Sequence, residues 1–159
     1  MKKFAVILFV CCLSVAALGC GKKGLSGLSG ASGVITLDGQ PVEGASITLW
    51  PEGNGRSAGA VSDAKGVFTF QTLNANDGVA DGTYKVTVTK MSVENAYSDE
   101  EAKKFSEAGG KSHKQVFGDR PEPKSVNALP QKYAKPDTSG LTLTISGASK
   151  DLKLELTSN

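Results

Sequence analysis

The chain has 159 residues, three of them cysteine, and carries 18 Lys+Arg against 16 Asp+Glu. That length suits one domain, and so even a charge balance excludes the basic surplus a nucleic-acid partner would need to have its phosphates neutralised. With one histidine, the chain also lacks the His and Cys ligands that a zinc hydrolase normally assembles.

Lys2 and Lys3 precede an uncharged apolar run over residues 4–18, and Ala17, Leu18 and Gly19 lead into Cys20. A basic start, an apolar centre and small residues before a cut mark an export signal. A retained membrane helix needs about 20 apolar residues, and Gly19 and Lys22 interrupt this run first. The pattern resembles a bacterial lipoprotein signal. That family usually carries Leu three residues before the cysteine and a small residue two before it, whereas Ala17 and Leu18 stand transposed. Ordinary signal peptidase accepts the same small-x-small ending and would release a secreted, unlipidated protein. The resemblance implies a signal peptide over residues 1–19, a diacylglyceryl thioether and an N-acyl chain such as palmitate on Cys20, and attachment to a membrane through that lipid. Gly21 stands where an aspartate would hold a lipoprotein in the inner membrane, which implies the outer membrane in a cell with two. Cys11 and Cys12 leave with the signal, so the mature chain keeps only Cys20 and no disulfide framework. Loss of Lys2 and Lys3 leaves 16 basic against 16 acidic residues.

Residues 20–33 are rich in Gly and Ser and repeat Gly-Leu-Ser, and they are read as a flexible linker. From Val34 short alternating segments begin. Residues 34–37 run into an Asp38-Gly39 turn, and residues 45–50 then place Ala45, Ile47 and Leu49 on one face, so the two segments are expected to form a hairpin. Residues 58–62 and 67–70 flank a second turn, Asp63 to Gly66. Residues 84–90 alternate most clearly, and residues 141–145 and 152–156 repeat the pattern near the end. The expected core includes Ile47, Leu49, Phe68, Phe70, Val86, Val88, Leu143 and Leu154.

Residues 91–127 break this rhythm and are read as an insertion at one end of the sandwich. Ser98 and Glu101 have the spacing of a capping box, and a helix is predicted from there until Gly109-Gly110 stops it. Its stripe of Ala102, Phe105 and Ala108 is expected to dock on the sandwich. Residues 111–124, including His113, read as a polar loop, and residues 130–134 as one helical turn.

The segments 33–49, 62–70 and 81–88, together with the ending at 129–141, resemble the carboxypeptidase regulatory-like, or transthyretin-like, domains of small bacterial lipoproteins. Alternation without intervening helices predicts an all-β fold, an antiparallel β-sandwich of about seven strands over residues 34–159 with one short helix in the inserted loop, and the resemblance implies that this sandwich is Ig-like or transthyretin-like. The resemblance implies an accessory module; the lone histidine and missing metal ligands favour a non-catalytic one, expected to be monomeric and without metal or cofactor, that binds or braces a partner, either an envelope protein or a polysaccharide. Trp50, Tyr97 and Tyr133 are the aromatics expected to contact a ligand. Residues 74–78 lack the alternating acids of a calcium loop. The alternative is an envelope hydrolase that uses carboxylates on the sandwich rim, since two acids can converge unseen in a sequence.

Overall fold

The computed structural model describes residues 27–159; the apolar leader, Cys20 and the start of the Gly/Ser segment lie outside the described residues. One sheet has β4 (Ser46–Pro51) and β8 (Gly82–Thr89) at its centre, β5 (Ala58–Val61) on one edge and β11 (Thr142–Ile145) on the other, all antiparallel. The second is built on β2 (Ala31–Leu37). Along one edge β2 pairs with β12 (Ser149–Leu156), and along the other with β3 (Gln40–Pro41) and β6 (Val67–Thr69). The β2–β12 pair is parallel, the exception to the expected antiparallel order. Short strands β1 (Leu28–Ser29) and β7 (Val79–Ala80) pair at one end.

The alternation is real, but the expected hairpin between residues 34–37 and 45–50 is not. Asp38 and Gly39 both take positive φ, 50° and 80°, which is the two-residue turn that matches strand twist, but the strand it closes is only Gln40–Pro41. The chain then leaves β2 and crosses to the other sheet, where β4 pairs with β5 and β8. Backbone groups on such a crossing need partners where water is excluded. Ser62 supplies them: its buried hydroxyl donates to the Val42 carbonyl (2.6 Å) and accepts from the Ala45 amide (2.9 Å). The Asp63 to Gly66 turn is likewise a crossing, with the Asp63 carboxylate accepting from the amides of Lys65 and Val67, both at 2.8 Å. Sequence neighbours thus fall into opposite sheets, and each sheet is assembled from distant segments.

Between the sheets lies one core. Ile35, Ile47, Leu49, Phe68, Phe70, Tyr84, Val86, Val88, Leu154 and Leu156 are all buried, with Phe68 and Phe70 at 5.0 Å between ring centroids. Leu143 is only half-buried, because its strand is an edge. Tyr84 lies in the core with its hydroxyl donating to the Ala80 carbonyl (2.8 Å); burial, and then the Asp81 carboxylate, push its phenol above the ordinary tyrosine value.

The domain begins earlier than Val34. Leu28 and Ser29 already pair with β7, and Ala31 and Gly33 are buried in β2, so the last residues read as linker are strand. Their small size serves packing: a Cβ on Gly33 would collide with the Leu152 backbone where β12 bulges toward it.

The insertion carries two strands and two helices, which differs from the predicted single helix and loop. β9 (Met91–Glu94) and β10 (Lys124–Asn127) form an antiparallel stalk, and α1 (Asp99–Glu107) and α2 (His113–Phe117) cap it. Ser98 caps α1 in a full capping box with Glu101. Residues 113–117 were predicted as loop because a five-residue helix has too little periodicity to show.

Candidate functional site

The alternation that buries Ile47 and Leu49 sends Thr48 and Trp50 outward from β4. Trp50 is the chain's only tryptophan and is 44% exposed. Its indole Nε1 donates to Thr87 Oγ1 at 3.0 Å, which fixes the ring plane and caps a threonine that is itself buried. Across the strands, Trp50 is level with Lys85 of β8, and Lys85 with Thr142 of β11. The next rows hold Thr48 opposite Thr87, and Thr83 opposite Thr144. The outer face of this sheet is therefore a row of hydroxyls around one aromatic ring. Its threonine alternation was visible in the sequence, but nothing there showed that the strands carrying it lie side by side.

At the Trp50 end the face opens into a concavity of about 820 Å³, walled by Pro51, Glu52 and Asn54 on one side and Pro136 and Asp137 on the other. Lys85 Nζ bonds Asp137 Oδ1 at 3.0 Å across its floor. Both groups are solvated, so the pair orders the wall more than it stabilises the fold. The rim carboxylates here are Glu52 and Asp137, and the second is already engaged by an ammonium.

Of the other two aromatics expected to meet a ligand, Tyr133 is buried and Tyr97 is half-buried. Tyr133, on a 3₁₀ turn (Gln131–Ala134), is 4% exposed, and its hydroxyl accepts from the Thr157 amide at 2.9 Å. Burial pushes this phenol up, but the Thr157 hydrogen bonds and the Lys132 ammonium outweigh it and hold the group below the ordinary tyrosine value. Leu129 and Tyr133 together plug the sandwich core, so the polar sequence around them concealed a packing role. Tyr97 belongs to the insertion's own cluster, with ring centroids 5.5 Å from Phe105 and 5.0 Å from Phe117. The guanidinium of Arg120 lies over Tyr97 and Phe117 and pairs with Glu101 at 2.7 Å. Phe105 therefore packs within the insertion rather than on the sandwich. His113, read as lying in a loop, is buried in this cluster at 5.1 Å from Phe117, with Nδ1 4.0 Å from Glu122.

Residues 72–78 are a self-contained turn. The Asp77 carboxylate accepts from the amides of Thr72, Leu73 and Asn74, and these bonds, led by that of Thr72 and opposed by burial, hold it below the ordinary aspartate range. Among the described residues no three His, Cys, Asp or Glu side chains converge to hold a metal ion, and no helix is long and apolar enough to cross a membrane.

Glu101 gives the insertion a pH dependence. Its bond from the Ser98 amide, opposed by burial and reinforced by Ser98 Oγ and Arg120, holds its carboxyl below the ordinary glutamate range. A carboxyl depressed in the folded state contributes stability that is present above its unfolded pKa and lost as pH falls through the folded value. On acidification, NMR resonances of residues 98–120 are expected to hold through the ordinary glutamate range and to shift only below it, as the Glu101 carboxyl takes up its proton. Glu101→Gln should remove that low-pH transition; an unchanged titration in the variant would show that the capping box does not govern it.

The family model of the carboxypeptidase regulatory-like domain matches residues 31–104, from the first residue of β2 into α1. The matched segment supplies β2 to β9, while β11 and β12, which complete the two sheets, lie beyond it. A domain of this family is non-catalytic in kind. No curated protein and no solved structure matches the chain.

Proposed function

We propose that this protein is a non-catalytic lipoprotein of the cell envelope, a β-sandwich binding module tethered to a membrane through lipid on Cys20. The observation that carries the reading is the leader itself, a basic start and apolar run that end at Ala17-Leu18-Gly19-Cys20. A regulatory-like sandwich with one exposed aromatic platform is consistent with binding rather than turnover. Because β1 begins at Leu28, the tether from Cys20 to the fold reaches at most roughly 25–30 Å, which keeps the sandwich close to the bilayer. Acyl burial contributes about 0.8 kcal/mol per CH₂, and a single chain binds only marginally, so two or three chains on one cysteine are what make attachment durable. Gly21 favours outer-membrane sorting in a cell with two membranes.

Cys20→Ala is expected to move the protein from the detergent phase into the soluble or precursor pool, read by phase partitioning of cell fractions. Mass measurement of the N-terminal peptide separates this reading from simple secretion, which leaves Cys20 unmodified. Unchanged partitioning in the variant would refute lipid anchoring.

A further inference from the structure

We propose that the outer face of the β11-β8-β4-β5 sheet binds a neutral polysaccharide, with a pyranose ring stacked on Trp50; this rests on the binding-module reading above and names its ligand class. A sugar ring has apolar C–H faces and a rim of hydroxyls, and so needs an exposed aromatic plane surrounded by groups that can both donate and accept. Trp50 supplies the plane, held in place by its bond to Thr87 before any ligand arrives. Such pre-organisation lowers the cost of ordering on binding. Threonine hydroxyls are donors and acceptors at once, and Thr48, Thr83, Thr142 and Thr144 stand on the same outer face.

Charge selects among ligands. Lys85 is neutralised by Asp137, and Glu52 remains on the rim, so the concavity offers no net positive charge to an acidic polymer. An apolar ligand would cover hydroxyls without giving them partners, which costs desolvation. An uncharged polyhydroxylated chain meets neither penalty. Spacing agrees as well: neighbouring strands lie about 4.8 Å apart, close to the repeat of a sugar chain, so a glycan crossing from Trp50 over Lys85 to Thr142 meets about one strand per ring.

Because Trp50 is the only tryptophan, its emission reports on this face alone. The full chain, held in a detergent without sugar headgroups, is titrated with neutral hexasaccharides (maltohexaose, cellohexaose, laminarihexaose, mannohexaose) and with hexagalacturonate as the acidic counterpart. A saturable emission change with at least one neutral hexamer and none with hexagalacturonate is expected. In calorimetric titration, Trp50→Ala should weaken that binding at least about tenfold, as truncating an aromatic anchor does, and Trp50→Tyr should weaken it less. A melting temperature for Trp50→Ala close to the parent shows that the loss is local. The proposal fails if no neutral hexamer alters the emission, if Trp50→Ala binds as tightly as the parent, or if hexagalacturonate binds best. Detergent partitioning through Cys20 is independent of these results, so failure of the glycan site leaves the anchoring claim standing, and failure of anchoring leaves the glycan site to be read directly.

Discussion

Phe70→Ala is expected to destabilise the domain by about 3–5 kcal/mol, the range for removing a fully buried phenylalanine ring from a core that cannot close over the gap. Phe70 has no exposed surface and stacks at a tilt on Phe68, and its amide donates to the Ala31 carbonyl at 2.8 Å, so the backbone around the cavity is held in place. Against a typical total of about 5–15 kcal/mol, such a loss leaves the fold marginal. The melting temperature should fall by roughly 10–20 °C. Urea unfolding should show a lower midpoint with an unchanged slope, because the same surface is exposed on unfolding. A midpoint equal to that of the parent would mean that the two sheets are not held together by this core.

Gly33→Val should be nearly as damaging, for a different reason. A Cβ at this position meets the carbonyl oxygen and carbon of Leu152, and backbone cannot swing aside as a flexible side chain can. β12 would have to move away from β2, disturbing a parallel pairing that runs from Ser149 opposite Ala31 to Leu156 opposite Leu37. Overpacking of this kind costs about 1–3 kcal/mol and more when backbone must shift, and the loosened C-terminal strand should become an early site of limited proteolysis. Gly30 provides the control. It sits three residues away in the same Gly/Ser run, with open space where its Cβ would project, so Gly30→Ala should leave melting unchanged or slightly raised. Equal effects at Gly30 and Gly33 would contradict the packing described here.

These two glycines show why the boundary of the domain was not legible in the chain. Gly and Ser have the composition of a linker, and only the approach of β12, 116 or more residues further on in sequence, turns Ala31 and Gly33 into close-packed strand. Tyr133 and His113 were hidden in the same way. Their flanks are polar, yet one phenol plugs the sandwich core and the imidazole sits among Tyr97, Phe105 and Phe117. Trp50 was legible as an outward aromatic because β4 alternates cleanly, whereas the hydroxyl face around it needed β8 and β11 to be placed beside β4.

What the sequence by itself determined was local: the strand faces, the turns at Asp38-Gly39 and Asp63 to Gly66, the Ser98–Glu101 cap and most of the core residues. Each of these depends on period-two burial or on hydrogen bonds spanning a few residues, so the information lies within the segment that uses it. Only the tertiary structure decided which strands pair, that β2 and β12 run parallel, and that the insertion builds its own aromatic centre. Those outcomes follow from closing two inner faces over one core and satisfying every backbone group on the crossings, conditions that no single segment can meet alone.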